Sequence, residues 1–566
     1  MMRTDPAVGK DFFGRVDILS LIGRRVEALK EGYRQNIAIT GRELTGKSSL
    51  LNHFLLSLSR DKDIVPIYLE VREEGFTNFA QRFIASMLYG LLCSLGSKPS
   101  VNLDHLLQES AVHAPKVISE IGRLNKFLAA KRTDTAYSLL FDLTLILKAE
   151  TGKSCVIILD EFHNLGSFGI KAPFALFGKK IMVQKETMYI VSSSKVSLIK
   201  QILTEKLSLL FGNFEVIELK GFSHQKAHLF LLERFAPYLL SEECRKFMIY
   251  ITGGGPFYLD LLSRRIKEIA KVSENETLSS LLGRKIKEMA RLSDNKPLAF
   301  DVLISALEST LLKSDGPLNQ YFTSLVNLLI GLEKGDSAVE VLVTIARGAR
   351  RTKEISLQLK ADRRALSEPL ETLIRSDIIR RNGVFYYIVD EMFEFWLRHV
   401  YHMRMTALVD YPLREQSDFR TSVENLFQGF LEDAKKSSPN RIKSLFETFG
   451  NDLVDVQRKS IKLPKFDKII FDSCLGQDDC LLGKVGGKFW ICRISERPVS
   501  EEDVTKFCDY IASRRKIYPI AKKALIALEG MEANARLLAK EEKIIIWDIN
   551  YINHLKALYG HHHIIS

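Results

Sequence analysis

Cysteine is scarce in this chain: 7 of the 566 residues are cysteines, and they are spread along the sequence. Such spacing does not build the dense disulfide framework of a small secreted protein, so we expect a reducing compartment. Long apolar runs are also missing, because the longest, at residues 83–95, is interrupted by serines and is too short to cross a bilayer. The first ten residues lack the apolar core of a signal peptide. We therefore expect a cytoplasmic protein without a membrane contact.

The composition excludes further classes of protein. Hydrophobic residues make up 46% of the chain and charged residues 27%, which argues against wholesale disorder and against a fibrous repeat. At about 150 residues per domain, this length suggests three or four domains. The excess of basic over acidic residues, 81 − 69 = +12, is compatible with a polyanionic partner.

The first third of the chain alternates between two hydrophobic patterns. Short apolar runs, typical of strands, are separated by segments whose apolar residues recur at helical spacing. The run at 154–159 is apolar throughout, as expected for a strand in the middle of a parallel sheet. The predicted strands are residues 36–40, 64–71, 154–159, 188–192 and 216–219. This order predicts an α/β domain with helices layered on a parallel sheet.

A glycine-containing loop follows the first predicted strand. Residues 41–48 read Gly-Arg-Glu-Leu-Thr-Gly-Lys-Ser and fit G-x-x-x-x-G-K-[ST]. Such a loop curls so that backbone N–H groups point at phosphate oxygens, and the positive end of the following helix adds to the attraction. Lys47 would reach the β- and γ-phosphates and Ser48 would ligate Mg²⁺, unless the loop fits the motif by chance. The predicted nucleotide contacts here are Gly41, Arg42, Glu43, Leu44, Thr45, Gly46, Lys47, Ser48 and Ser49.

The third predicted strand delivers two adjacent acids, Asp160 and Glu161, at its carboxyl end. Ligands of α/β proteins bind at this edge of the sheet. Asp160 would hold Mg²⁺, directly or through water, and Glu161 would polarise an attacking water. The alternative is two solvated acids in a loop, and the phosphate motif upstream favours the functional interpretation.

Serines at 192–194 end the fourth predicted strand. A hydroxyl there, for which we choose Ser193, would lie near the γ-phosphate and help to orient water; serines that simply end a strand are the alternative. No Asn-Lys-x-Asp guanine signature is present in the sequence, which favours ATP over GTP. The predicted catalytic residues are Lys47, Glu161 and Ser193, and the predicted metal ligands are Ser48 and Asp160.

Together these motifs resemble the archaeal-type ATPase family, a branch of the STAND class of P-loop NTPases related to AAA+ proteins. The resemblance begins with Phe-Phe-Gly-Arg at residues 12–15. It continues through residues 39–48, the Walker A loop, and residues 158–162, at the end of the Walker B strand. It extends to Gly-Gly-Gly-Pro at 253–256, which is similar to the G-x-P motif of that class. The resemblance implies that Gly14 and Arg15 lie next to the nucleotide base, and that Pro256 packs near the nucleotide and couples it to the next domain. From the residues alone, this glycine-proline run is a turn before a helix.

One position departs from that family. Members of that family tend to carry Phe-Gly-Arg after the sensor strand, which here is the fourth predicted strand. This chain has Phe211, Gly212 and Asn213 instead. If the family's arginine assists hydrolysis, its replacement by Asn213 predicts slow turnover. Binding of ATP is therefore a stronger expectation than fast ATPase activity.

Four domains are expected along the chain. They are an ATPase domain at 1–255, a helical lid or connector at 256–335, a winged-helix domain at 336–398 and a C-terminal domain at 399–566. The winged helix is predicted from three helical patterns followed by strand, Asn-Gly turn and strand near residues 378–388. Residues 347–381 contain ten cations and five acids, which suits double-stranded DNA; a solvated basic face or a protein contact is the alternative.

The C-terminal domain has the strand and helix pattern of a PD-(D/E)xK nuclease, which many relatives of that ATPase family carry. Aligned by pattern, Asp479 is the first acid, but Arg493 and Ser495 stand where the second acid and the lysine should be. An arginine in place of a carboxylate repels Mg²⁺, so we expect no nuclease activity. The run His561-His562-His563 is typical of a flexible tail, with metal binding as the alternative.

These expectations combine into one hypothesis with two rivals. The first is an ATP- and Mg²⁺-binding, slowly hydrolysing STAND-type switch, whose nucleotide state controls a partner surface on the winged helix and C-terminal domain. The rivals are a DNA-binding regulator with a structural nucleotide site and an ATP-gated nuclease. The partner is DNA, another protein or a second copy of the chain.

Overall fold

The computed structural model describes residues 5–207, 212–235, 240–275, 300–407, 412–456, 459–473, 479–515 and 517–564. The chain divides into two compact units. Unit 1 comprises Met1–Phe222 with Gly255–Tyr258, and unit 2 comprises Ser223–Gly254 with Leu259–Ser566. The finer division into four domains remains a prediction. Within the described residues, no helix combines the length and the apolar composition needed to cross a bilayer.

Unit 1 is built on a five-stranded sheet whose neighbouring strands are all parallel. The strands are β1 (Asn36–Thr40), β2 (Ile64–Glu70), β3 (Ser154–Asp160), β4 (Thr187–Ser193) and β5 (Phe214–Glu218). Their order across the sheet is β2-β3-β4-β1-β5. The predicted parallel α/β sheet is thus confirmed, with every predicted strand present. Because the strands are parallel, the carboxyl ends of the interior strands β1, β3 and β4 lie at the same edge of the sheet.

Helices cover both faces of this sheet. All seven residues of β3 are buried, because alternate side chains enter two separate cores. One core receives the two helices between Val16 and Leu58, and the larger one receives the five helices between Phe76 and Val183. The helices of unit 1 are α1 (Val16–Lys30), α2 (Lys47–Leu58), α3 (Phe76–Ser94), α4 (Leu103–Ala111), α5 (Pro115–Ala129), α6 (Thr133–Thr151), α7 (Pro173–Val183) and α8 (Val196–Gln201). Short 3₁₀ turns at Gly9–Asp11 and Phe162–Ser167 and a π turn at Ile202–Lys206 complete the unit.

Unit 2 is largely helical in its first half. Its helices are α9 (His224–Phe235), α10 (Glu242–Thr252), α11 (Pro256–Asn275), α12 (Phe300–Leu307), α13 (Pro317–Ile330), α14 (Gly335–Ala346), α15 (Thr352–Leu359), α16 (Ser367–Arg375), α17 (Glu391–Trp396), α18 (His402–Thr406), α19 (Pro412–Ala434), α20 (Ser438–Glu447), α21 (Glu501–Arg514), α22 (Ala533–Glu541) and α23 (Ile549–Leu558). Helix α11 begins with residues assigned to unit 1. A π turn follows α12 at Glu308–Leu312, and another joins α17 to α18 at Leu397–Tyr401.

Helices α14, α15 and α16 are followed by an antiparallel hairpin of β6 (Ile379–Asn382) and β7 (Phe385–Ile388). A single antiparallel bridge joins Arg351, between the first two helices, to Phe385. The turn of this hairpin packs against a second hairpin, β8 (Asp452–Val456) with β9 (Lys459–Leu463), which the sequence pattern did not predict. Val384 donates to Leu453 at 3.1 Å, and a side chain at Gly383 would collide with the same carbonyl. The hairpin turn is therefore covered by the protein.

The C-terminal part of unit 2 contains a mixed five-stranded sheet. Its strands are β10 (Lys468–Ser473), β11 (Asp479–Val485), β12 (Lys488–Ser495), β13 (Ile520–Ala527) and β14 (Ile545–Asp548). They lie in chain order, with the first two pairings antiparallel and the last two parallel. The sequence pattern predicts strands at 468–472, 480–482, 489–494, 524–528 and 543–547. The first three fall inside these elements, the fourth extends one residue past β13, and the fifth begins two residues before β14.

Candidate functional site

The phosphate-loop motif lies between β1 and α2, as predicted, and its backbone is tightly curled. Leu44 and Gly46 have φ of 63° and 87°, in the left-handed region that favours glycine. A side chain at Gly41 would come within 2.5 Å of the carbonyl oxygen of Leu219. Thr45 closes the turn by donating its hydroxyl to the carbonyl of Arg42 at 2.8 Å. The glycines are therefore needed where the motif has them.

Lys47, the first residue of α2, carries the buried cation of this site. Its side chain is only 5% exposed, and Nζ donates to the carbonyl of Arg42 at 3.0 Å. Its ion-pair partner is Glu161, whose Oε1 lies 3.9 Å from Nζ. Burial lowers the pKa of Lys47, and the carboxylates of Glu161 and Asp160 offset part of that shift. A loosely paired amine in a low dielectric attracts an anionic group strongly.

Asp160 ends β3, and its buried carboxylate gathers donors from three neighbouring segments. Ser48 donates its hydroxyl to Oδ2 at 2.7 Å, and Tyr68 on β2 donates to the same oxygen at 3.2 Å. Oδ1 accepts from the hydroxyl of Ser192 on β4 and from the backbone N–H of Glu161. Burial raises the pKa of Tyr68 well above its usual value, and the negative charge of Asp160 is the second cause of this shift. The hydroxyl of Ser48 and the carboxylate of Asp160 are oxygen ligands of the kind that Mg²⁺ prefers, so these residues fit that ion.

Glu161 follows directly, in a left-handed backbone conformation with φ of 52°. This backbone conformation is uncommon for a non-glycine residue. Oε2 accepts from the backbone N–H of Ser194 at 2.9 Å and from its hydroxyl at 2.8 Å. Nδ1 of His163 lies 3.3 Å from the same oxygen. Glu161 is thus close to Lys47, as predicted, but its carboxylate is held by groups that the sequence reasoning did not select.

Ser193 and Ser194 have different partners. The hydroxyl of Ser193 is 2.9 Å from Nδ1 of His163 and accepts from the backbone N–H of Lys195 at 3.2 Å. Ser194 contacts Glu161, and the task of Ser193 near the γ-phosphate stays a prediction. Burial lowers the pKa of His163, and the Glu161 carboxylate partly offsets this. Ser194 therefore contacts Glu161 directly, whereas Ser193 is linked to Glu161 through the ring of His163.

The outer rim of the loop carries an ion pair. Lys195, the residue after Ser194, lies with Nζ 3.7 Å from Oε1 of Glu43, and both side chains are about half exposed. A surface pair of this kind contributes little to stability. It places a second cation at the loop that sequence reasoning missed, although its position just after the serine run was a usable signal.

The N-terminal residues of the predicted site form a separate cluster. Gly14 and Arg15 both have positive φ, 71° and 61°. The guanidinium of Arg15 donates to the carbonyl of Lys220 and stacks over the ring of Phe222, 4.8 Å from its centroid. Burial lowers the pKa of Arg15. Their predicted place beside a nucleotide base remains a prediction.

Two further predicted residues, Ser49 and Pro256, contact distant parts of the chain. The hydroxyl of Ser49 accepts from the backbone N–H of Ala7 at 3.0 Å. Pro256 opens α11, and its Cγ lies 3.8 Å from where a side chain at Gly46 would begin. Gly46 and Pro256, which are far apart in sequence, are therefore close in space, and the place of Pro256 beside a nucleotide stays a prediction.

The sequence offers three arginines, Arg234, Arg264 and Arg265, that could substitute for the arginine absent at Asn213. Asn213 accepts from the backbone N–H of Asn36 through its carbonyl oxygen, at 3.1 Å, and the preceding Phe211 lies outside the described residues. Arg234 and Arg264, two alternatives, belong to unit 2, where each forms an ion pair with Asp260.

A second charged strand end lies in the C-terminal sheet. Arg493 on β12 is 1% exposed, and its guanidinium donates to the carbonyl and to Oδ1 of Asp503, the latter at 3.1 Å. Asp503 also accepts from the N–H and hydroxyl of Ser500 at 3.0 and 2.8 Å, which caps α21. The side chain of Asp479 lies outside the described residues. A buried ion pair thus lies at the strand position that the sequence pattern aligned with a second acid.

No family model and no curated protein matches the chain. Solved structures with similarity include the Walker-type ATPase PABY2304 of Pyrococcus abyssi, at 18% identity and a TM-score of 0.45, over 70% of this chain and 99% of that one. The ORC2 protein of Aeropyrum pernix, in ADPNP–ADP complexes, has 12% identity and a TM-score of 0.40, over 70% and 98%. The ORC1 protein of Aeropyrum pernix in complex with DNA has 15% identity and a TM-score of 0.34, over 70% and 94%. At these low scores, the function of this chain is argued from its own site.

Proposed function

We propose that the chain binds ATP with Mg²⁺ at the phosphate loop and hydrolyses it slowly, as an archaeal-type, AAA+-related ATPase of the STAND class. The observation that carries this proposal is the convergence of Lys47, Ser48 and Asp160 on one end of a parallel sheet. A buried amine, loosely paired, beside a hydroxyl and a carboxylate supports an anionic ligand with a divalent cation. The curled loop adds backbone N–H groups at the start of α2.

Each residue then has a defined task. The loop N–H groups and Lys47 hold the phosphates, while Ser48 and Asp160 would hold Mg²⁺, which neutralises phosphate charge when it is bound. Glu161 accepts a proton from the attacking water, and Ser193 orients that water through its hydroxyl. Gly14, Arg15 and Pro256 complete the nucleotide contacts. These roles are proposals drawn from the geometry.

Slow turnover follows from the contacts of Glu161. Its Oε2 already accepts two hydrogen bonds from Ser194, so that oxygen has little capacity left to accept from an attacking water. The absence of an arginine at Asn213 acts in the same direction. A proton acceptor that the protein already occupies suits a protein that stays in its ATP-bound state for long periods, as a nucleotide-controlled switch requires. We propose that Pro256, packed against Gly46, transmits the state of the loop to the winged-helix and C-terminal regions.

The affinity of the full chain for ATP tests the first part of the proposal. Lys47→Ala removes the buried cation, and with it a charge-assisted contact of about 3 kcal/mol, so we expect about 100-fold weaker ATP binding. The control is Lys185→Ala, which removes an exposed lysine of the same unit. Equal ATP affinity in wild type and Lys47→Ala rejects the proposal.

A specific observation favours DNA as the partner of the second region. Five cations between α14 and α16 are exposed: Arg347, Lys353, Lys360, Arg363 and Arg364. Arg350 and Arg351 are instead paired with acids of the protein. The turn of the β6–β7 hairpin is covered by Leu453, so it is not exposed to enter a groove of DNA. We therefore propose that a polyanion meets the helices of this winged-helix region rather than its hairpin tip.

Binding of duplex DNA at low salt tests this second proposal. Arg363→Ala with Arg364→Ala should weaken binding and reduce the salt dependence by about two charges. Arg375→Ala is the matched control, because that arginine is already paired with Glu371 at 2.9 Å. ATP hydrolysis measured with and without the duplex then separates a coupled switch from a DNA-binding protein with a structural nucleotide. No affinity for DNA at low salt removes this candidate.

A further inference from the structure

Unit 2 contains a cavity of about 90 Å³ that no sequence motif indicates. Tyr250 and Ile251 line it from the end of α10, and Phe395 from α17. Leu426 on α19 and Ala557 on α23 complete its apolar part. At about 15 Å³ for each water-sized group, this volume holds roughly six such groups. The cavity is therefore large enough for a small organic molecule and too small for a nucleotide.

The histidine run near the end of the chain forms one wall of this cavity, which corrects the expectation of a flexible tail. His561 donates its backbone N–H to the carbonyl of Lys556 at 2.8 Å. Asn553 clamps Ile564 with two hydrogen bonds, of 2.8 and 2.6 Å, and Arg441 donates to the carbonyl of His563. Among the described residues, no cluster of His, Cys, Asp and Glu is arranged to hold a metal. These histidines are therefore packed side chains of a polar cavity.

Three buried nitrogens on the cavity lining have no hydrogen-bond partner within the described parts of the chain: Arg350 Nε, His399 Nε2 and His563 Nδ1. Arg350 and His399 are each only 7% exposed. The other ring nitrogen of His399 is 2.8 Å from the hydroxyl of Ser422, so its ring is held in place. Buried polar groups normally find partners, and three unpaired ones around a single cavity indicate that something else supplies them.

The charges around the cavity balance. Arg350 and Arg398 both donate to Oε1 of Glu394, at 2.7 and 3.0 Å, and Glu391 brings a second carboxylate. Burial lowers the pKa of both His399 and His563 to about 3, so these rings are neutral at neutral pH.

His561, on the same wall, is neutral for the same reason, with its pKa lowered to about 4, and burial raises the pKa of Tyr250, which keeps its phenol protonated. A ligand with net charge would leave one charge uncompensated in a low dielectric, which is unfavourable.

We propose that this cavity binds a small zwitterion of the size of glycine, alanine or serine. A carboxylate oxygen accepts from Arg350 Nε–H and from a neutral imidazole, while an ammonium group is matched by the glutamates on the lining. Ile251, Phe395, Leu426 and Ala557 accept a small apolar group, which is the usual division of a ligand site into apolar walls and a few polar contacts. The site lies within unit 2 alone and does not depend on the proposed ATPase activity.

Calorimetric titration of the full chain with glycine, alanine and serine tests this site, with acetate and phosphate as anionic comparisons. We expect saturable binding of at least one amino acid and none of the two anions. Ala557→Leu fills the cavity without changing its charges and should weaken that binding at least tenfold. Ala557→Ser is the matched control and should leave it within about twofold. His399→Phe removes one unpaired nitrogen at similar volume and should also weaken binding at least tenfold.

Three results overturn the proposal: no amino acid binds the wild type, acetate or phosphate binds as tightly, or Ala557→Leu and His399→Phe both bind like wild type. The first result means that water alone fills the cavity. Circular dichroism identifies a variant that does not fold, and the other variant then decides. Lys47→Ala should bind the amino acid normally, which separates failure of this site from failure of the ATP site.

Discussion

Beside each of the two five-stranded sheets, a buried cation lies near the end of a strand. The two cations differ in how closely the protein pairs them with a carboxylate. In unit 1, Lys47 at the start of α2 has its carboxylate partner, Glu161 just after β3, at 3.9 Å. At the end of β12 in unit 2, Arg493 is matched directly by Asp503, at 3.1 Å and through its backbone carbonyl. A buried charge that the protein itself neutralises attracts a charged ligand only weakly. A buried charge that is only loosely paired can still attract one. The difference separates a candidate binding site from a structural ion pair.

Burial of a charge is therefore insufficient to identify function. Arg493 is more deeply buried than Lys47, yet its donors are directed at a neighbouring helix. The informative quantity is how completely the surrounding protein satisfies the charge. The cavity in unit 2 obeys the same criterion, because its orphaned nitrogens rather than its depth point to a ligand.

The largest effect in this comparison is expected at the unit 1 site. Glu161→Gln keeps the shape of the side chain but removes the proton acceptor, so ATP turnover should fall about 1,000-fold while ATP affinity is retained. Phosphate release under saturating ATP, with a parallel binding titration, measures both quantities. If turnover is unchanged, another group accepts the proton and Glu161 has no catalytic task.

In unit 2, the ion pair should matter for folding. Asp503→Ala leaves Arg493 buried without its carboxylate partner, and we expect a loss of about 3–5 kcal/mol in the free energy of unfolding, measured by urea denaturation. The control is Arg497→Ala, because Arg497 contacts the same oxygen at 3.0 Å but its side chain is 61% exposed. That change should cost less than about 1 kcal/mol. Similar losses in the two variants would contradict the structural role given to Arg493.

The same pair predicts a pH dependence. Burial alone would raise the pKa of Asp503, but hydrogen bonds from Ser500 and Arg493 outweigh it, and the pKa is lowered. A lowered pKa means that the stabilisation is fully present above the unfolded-state value, about 3.9, and is lost as the pH falls through the folded value. The destabilisation caused by Asp503→Asn should thus be constant above about pH 5 and shrink below about pH 4. A difference that grows on acidification would reverse the sign of this argument.

The smallest expected effect concerns the two serines beside Glu161. Ser194→Ala removes one of the two donors on Oε2, a hydrogen bond worth about 1 kcal/mol, so turnover should rise about fivefold as that oxygen becomes available to the attacking water. Ser193→Ala, the matched change one residue away, should instead lower turnover, because it removes the hydroxyl proposed to orient water. Steady-state ATPase assays on both variants decide; a fall in Ser194→Ala would mean that Ser194 positions Glu161 productively.

The strands, the phosphate loop and the Asp160-Glu161 pair could be predicted because each depends on local pattern: apolar runs, glycine spacing and strand-end acids. The partners of those acids could not. Tyr68 reaches Asp160 across 92 residues, and Ser194 reaches Glu161 across 33. Those contacts depend on β3 lying between β2 and β4, which no local pattern specifies. The choice between Ser193 and Ser194 also required the register of neighbouring strands, since a shift of one residue reverses the side on which a side chain lies.

The sequence alone determined which chemical groups this protein carries and on which kinds of element they stand, because backbone preference and hydrophobic period act over a few residues. Only the tertiary structure decided which charges are satisfied. It paired Arg493 with Asp503, covered the hairpin turn at Gly383 with Leu453, and left three nitrogens around a cavity without partners. Hydrogen bonds and ion pairs act over a few ångströms, and that proximity is created by packing segments that lie far apart in the chain.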